Sequence, residues 1–129
     1  MNIIDHLSVG VPSIAEGTTF YKGLMQALGF ELIVATDSFA AYGKDVPQFL
    51  LMTPYDGKPY STGNGTHVAF AAMSQQAVDQ FHRYACDQGG HCEGKPGNRP
   101  VYPKSDVYAA FVRDPFGNKL EAIFNGFSV

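Results

Sequence analysis

Tryptophan is absent from the 129 residues, and cysteine occurs only twice, as Cys86 and Cys92. Two cysteines do not make a disulfide framework, so they read as reduced thiols and the chain as cytoplasmic. Charge is scarce too: Asp, Glu, Lys and Arg make up 16% of the residues, against roughly a quarter in an average domain. Nine basic and twelve acidic side chains leave a net charge of −3. That balance excludes the basic footprint that holds nucleic acid and the polybasic patch that holds anionic lipid. No apolar run approaches the ~20 residues of a membrane span. The start, Met1-Asn2-Ile3-Ile4-Asp5-His6, lacks the basic n-region of a signal peptide. The partner expected is a small molecule, with neither nucleic acid nor membrane.

Ten phenylalanines and seven tyrosines supply the large side chains, and 45% of the residues are hydrophobic. That content, at this length, suits one core and excludes a disordered polyelectrolyte. Fourteen glycines and eight prolines are spread along the chain, so they mark many short turns and no linker.

Residues 3–11 alternate and predict a strand with Leu7, Val9 and Val11 on one face and His6 and Ser8 on the other. Ser13 and Glu16 form a capping-box pattern, with Glu16 reaching back to a free amide. Phe20, Leu24 and Leu28 make a helical stripe, and Gly29 is a natural stop. Strands follow over 31–35, 39–43 and 48–53. The second half repeats this order: a strand over 66–72, Ser74 as N-cap, a stripe of Val78, Phe81 and Ala85, and Gly89-Gly90 as the stop. A short strand at 91–93, a Gly/Pro-rich loop over 94–103, and strands at 108–113 and 119–124 complete it.

An offset of 61 carries His6 onto His67, Ser13 onto Ser74, Phe20 onto Phe81 and Gly29 onto Gly90, without a gap. An offset of 69 carries Ala40-Ala41-Tyr42 onto Ala109-Ala110-Phe111. The prediction is an α+β chain of two βαβββ modules, about 1–62 and 63–129. Together they form a curved, partly open eight-stranded sheet around a cleft, in one domain. His6 and His67 are then equivalent, each at the first strand of its module, and Glu121 lies in the last strand. Two imidazoles and one carboxylate are the composition of a facial metal site with open positions.

The run Asp114-Pro115-Phe116-Gly117-Asn118-Lys119-Leu120-Glu121 resembles the Asp-Pro-x-Gly-Asn-x-x-Glu signature of the vicinal oxygen chelate superfamily. That superfamily includes glyoxalase I, extradiol dioxygenases, fosfomycin-resistance enzymes and bleomycin-binding proteins. The first-strand histidine, the paired modules and His67 after a Gly-rich turn also match, so the resemblance covers the whole chain. It implies His6, His67 and Glu121 as ligands of a divalent metal (Fe, Mn, Ni or Zn), with Glu121 also catalytic. The fourth ligand position of the family falls near Met52 by the 69-residue offset, or at Leu51 or Leu50 after a slip, and none of these is a carboxylate. Gln48 is a neutral donor nearby. Three ligands resemble the dioxygenase pattern more than the four of glyoxalase I. In similar proteins a loop before the last strands closes over the cleft; here it carries Arg99, Tyr102 and Lys104, with Tyr108 just after it. Tyr102 and Tyr108 are therefore the acid–base candidates that the resemblance adds. It further implies a homodimer. The expected function is that of a glyoxalase- or dioxygenase-like enzyme for a small substrate with vicinal oxygens. The alternative is a drug-sequestering protein of the bleomycin-resistance type.

Overall fold

The computed structural model describes residues 3–128. The chain divides into two compact units, Met1–Thr62 and Gly63–Val129. The fold is α+β, with two four-stranded mixed sheets and two helices. Among the described residues no helix is long and apolar enough to cross a membrane.

In the first unit, β1 (Leu7–Gly10), α1 (Ile14–Ala27), β2 (Glu31–Ala35), β3 (Phe39–Gly43) and β4 (Phe49–Met52) form a sheet of order β1-β4-β3-β2. β1 runs parallel to β4, which the helical crossover makes feasible, and the other pairs are antiparallel. The predicted stripe of α1 is buried: Phe20, Leu24 and Leu28 lie in the core with Tyr21 and Met25. Tyr21 meets the rings of Tyr42 and Phe49 at 6.4 and 5.5 Å. Burying side chains of this size contributes about 2–3 kcal/mol each. Gly17 lets the helix approach: a Cβ there would stand 2.9 Å from Leu51 Cδ1. The cap differs in one detail from the capping box. The Ser13 hydroxyl accepts from the Glu16 amide at 3.1 Å and donates to the Glu16 carboxylate at 2.9 Å. That carboxylate therefore bonds the capping side chain itself.

The second unit repeats the frame with β5 (Val68–Ala72), α2 (Gln75–Asp87), β6 (His91–Asn98), β7 (Tyr108–Arg113) and β8 (Lys119–Phe124), in order β5-β8-β7-β6. The Ser74 side chain caps α2 by accepting from Ala77 N. Val78, Phe81 and Ala85 are fully buried, as are Ala110, Val112, Leu120 and Ala122 of the sheet. Phe81 meets Phe70 at 6.4 Å. A second, smaller cluster of Val107, Ala109 and Ile123, with Tyr102 against it, lies on the face away from α2.

Three predicted boundaries shift. The left-handed residues that end the helices are Gly29 and Gly89, not Gly29 and Gly90. α2 is one residue shorter than α1, so the ungapped offset of 61 fails there. Second, β6 runs on to Asn98, through much of the predicted loop, with register shifts between Cys92 and Gly94 and between Gly94 and Gly97. Third, the offset of 69 does not hold at the last strands. Ser8 pairs with Leu50 in the first sheet and Ala69 with Glu121 in the second, so the counterpart of Glu121 is Leu50 and not Met52.

Candidate functional site

The signature turn explains how Glu121 is placed. Asp114 is fully buried and accepts from the amides of Phe116 and Asn118 at 2.9 and 2.8 Å, and from the Asn118 side chain at 2.9 Å. Gly117 adopts φ 98°, which favours glycine. The hairpin so closed fixes Arg113 opposite Lys119 and Phe111 opposite Glu121. Residues directly opposite in a sheet share a face. Leu120 and Ala122 point to α2, so Glu121, Phe111, Lys119 and Ile123 point away from it.

Glu121 is only 2% exposed. A buried carboxylate needs hydrogen-bonding partners, and it has two. His67 Nε2 lies 3.0 Å from Oε1. The Tyr102 hydroxyl donates to Oε2 at 2.6 Å. His67 is still substantially exposed, so the pair has an inner acid and an outer, reachable imidazole. Phe111 walls the other side, its ring centroid 6.0 Å from that of His67.

Tyr102 comes from the loop after β6, which is tied down at several points. Arg99 N donates to Val107 O at 2.9 Å and closes the loop. The Lys104 ammonium donates to Gly126 O, and Asn125 Nδ2 to Asp106 O at 3.1 Å. Tyr102 stacks on Phe127 at 5.7 Å. Within the loop, Arg99, Tyr102, Lys104 and Asp106 line an open depression of about 640 Å³. Burial pushes the Tyr102 phenol up to about 12, aided by the hydrogen bond to Glu121 and by its charge, while Arg99 pulls the other way. Tyr102 is thus a proton holder at neutral pH.

Tyr108, the other expected tyrosine, is not brought to Glu121. It shares the face of Ala110 and Val112, under α2, and donates to Asp79 of that helix at 2.6 Å. That bond raises its pKa first, and burial second. His6 belongs to the first unit, just ahead of β1; its Nδ1 lies 2.6 Å from Asp5 Oδ1, and it lines a depression with Gln48 and Leu50. Leu50 and Gln48 bring no carboxylate there. Among the described residues no group of three or more His, Cys, Asp or Glu side chains is placed to hold a metal ion. The His67–Glu121 pair nevertheless fits a divalent cation in its donor chemistry. An imidazole nitrogen and a carboxylate oxygen are both common ligands of divalent metals, and these two would hold such an ion. Phe111, Lys119 and the glycines of β6 were not expected at the site. Counting by twos back from Glu121 and across to Phe111 would have found the first two, once the pairing register was known.

A family model described as the glyoxalase/bleomycin resistance protein/dioxygenase superfamily matches residues 3–122. The chain is similar to a glyoxalase/bleomycin resistance protein from Albidiferax ferrireducens, at 35% identity over 97% of this chain and 100% of that one, with a TM-score of 0.86. A glyoxalase/bleomycin resistance protein/dioxygenase family enzyme from Burkholderia phytofirmans shares the fold at 16% identity, over 92% and 95% of the two chains, TM-score 0.70. So does a glyoxalase-related enzyme from Fulvimarina pelagi, at 14% identity over 97% and 89%, TM-score 0.71. No curated protein sequence matches. The two βαβββ units are the architecture of the vicinal oxygen chelate class. The chain belongs to the glyoxalase/bleomycin resistance protein/dioxygenase superfamily.

Proposed function

We propose that the protein is a divalent-metal enzyme of the glyoxalase/dioxygenase type, acting on a small substrate with two adjacent oxygens. The observation that carries this reading is the His67–Glu121 pair, with Tyr102 behind it. His67 and Glu121 would hold the ion. When bound, the metal supplies Lewis-acid polarisation of a substrate oxygen. The chain's own residues do the rest. Tyr102, through its proton on Oη, holds Glu121 Oε2 and so keeps Oε1 turned to His67. With its pKa near 12 it serves as a donor and not as a base. Phe111 and Ile123 shield the acid from water on the sheet side. A homodimer in a reducing, cytoplasmic setting completes the proposal; the free thiols of Cys86 and Cys92 fit such a setting.

The test is metal content after purification without chelator, for the parent chain, His67→Ala and Glu121→Gln. Stoichiometric Fe, Mn, Ni or Zn, lost in both variants, supports the proposal. No metal in the parent chain after incubation with excess of each ion overturns it and favours a drug-sequestering protein.

A further inference from the structure

The Gly-rich turn ahead of His67 carries a chemistry of its own. The second unit opens on Gly63-Asn64-Gly65. Residues 63–67 are all exposed, and Asn64 and Gly65 form a bend before β5. Gly63 and Gly65 take φ 64° and 107°, the region that favours glycine. Among the described residues neither the Asn64 side chain nor the Gly65 amide has a hydrogen-bond partner. The space beside Gly65 is open as well, since a Cβ there would meet nothing within 4 Å.

Asn-Gly occurs once more, at Asn125-Gly126, in opposite surroundings. The Asn125 amide nitrogen donates to Asp106 O at 3.1 Å and to Ser105 O at 3.3 Å. Gly126 is buried, its carbonyl accepts from Lys104, and a Cβ there would stand 3.0 Å from Ile123 Cδ1. Asn98 and Asn118 precede Arg99 and Lys119, whose side chains hinder attack on the preceding amide. One chain thus holds the same dipeptide once free and once tethered.

Asparagine is chemically labile, and most so before glycine, which has no Cβ to obstruct its own nitrogen. That backbone nitrogen attacks the side-chain carbonyl carbon. The bond to the amide nitrogen breaks, ammonia leaves, and a five-membered cyclic imide forms. Water then opens the imide at one of its two carbonyls. Opening at the side-chain carbonyl gives aspartate. Opening at the main-chain carbonyl gives isoaspartate, whose backbone runs through the former side chain. The sum is one amide and one water converted to one carboxylate and one ammonium ion, with no oxidant or reductant.

We propose that Asn64 is the deamidation site of the folded protein, converting through a cyclic imide with Gly65 to isoaspartate and aspartate, while Asn125 is protected. Either product places a new carboxylate three residues ahead of His67. Isoaspartate also adds one methylene to the backbone of the turn. The segment that leads into the imidazole beside Glu121 is thus the part of the molecule that ages. This goes beyond the proposed function and does not rest on it.

The test is ageing of the parent chain at mildly alkaline pH, native and in urea, followed by peptide mapping with mass spectrometry. An isoaspartate-specific methyltransferase with a labelled methyl donor counts the isoaspartyl product. In urea both asparagines convert at rates set by sequence alone. In the native chain Asn64 should keep its unfolded rate within a few-fold. Asn125 should slow at least about tenfold, because its hydrogen bonds must open first. Asn64→Gln should remove the native product, since a six-membered imide closes far more slowly, and the exposed position bears no packing. Equal native rates at Asn64 and Asn125, slowing of native Asn64 as great as that expected for Asn125, or isoaspartate that persists in Asn64→Gln overturns the proposal.

Discussion

Tyr102 donates its phenolic proton to Glu121 across 2.6 Å, from a loop nineteen residues upstream. The bond joins the loop to the sheet floor and fills one of the two oxygens of a buried acid. Tyr102→Phe keeps the stacking on Phe127 and the packing on Val107, Ala109 and Ile123. It leaves Glu121 Oε2 without this donor. The expected cost is about 1–3 kcal/mol, read as a lower urea midpoint with an unchanged slope. A midpoint equal to the parent's would mean that water replaces the phenol at no cost.

The same phenol predicts a response to alkali. In the fold its pKa is pushed up to about 12, from an ordinary value of 10.0. The protonated form is the one the fold favours. The stabilisation is thus fully present below pH 10 and is lost as pH rises towards 12. Urea midpoints of the parent chain and Tyr102→Phe should accordingly converge as pH rises from 10.0 to about 12. A gap that stays constant over that range would contradict the assignment.

Asp114 organises the turn that delivers Glu121. Three hydrogen bonds of its carboxylate reach Phe116 and Asn118, and both Asp114 and Asn118 are buried. Asp114→Ala orphans a buried amide and a side-chain donor together, at a cost of about 3 kcal/mol. Asp114→Asn keeps one acceptor oxygen and should fall between. Thermal unfolding followed by circular dichroism ranks the three; a silent Asp114→Ala would mean the turn closes without its acid.

The two serine caps allow a simpler check. Ser74→Ala removes the acceptor for Ala77 N and should cost about 1 kcal/mol, with Ser74→Asp restoring it. Denaturant midpoints measure both. If aspartate fails to rescue, the hydroxyl matters for something other than the cap.

Much of this was legible in the residues. Both N-caps and the buried stripes of both helices follow from patterns that local chemistry enforces. The α+β class followed from the repeat, because a cap, a stripe and a stop recur in one order. What stayed hidden was register. The helix C-terminus slipped by one residue because either glycine of Gly89-Gly90 could take the left-handed turn, and φ alone decided for Gly89. β6 runs on through Gly94 and Gly97, and at Gly94 a Cβ would stand only 3.2 Å from Phe111 Cδ2 and 3.3 Å from Arg99 Nη2. That packing is invisible to a rule that reads glycine and proline as loop. Tyr108 was indistinguishable from Tyr102 until the pairing of Phe111 with Glu121 placed odd and even positions of β7 on opposite faces.

The register also settles what the two halves share. At one matched position of a duplicated frame the first unit carries Leu50 and the second Glu121. The histidines ahead of the first strands were kept in both copies, while the acid stands in one. The halves are therefore no longer interchangeable parts. A chain assembled from two copies of the second would carry two acid–imidazole pairs, and one assembled from two copies of the first would carry none.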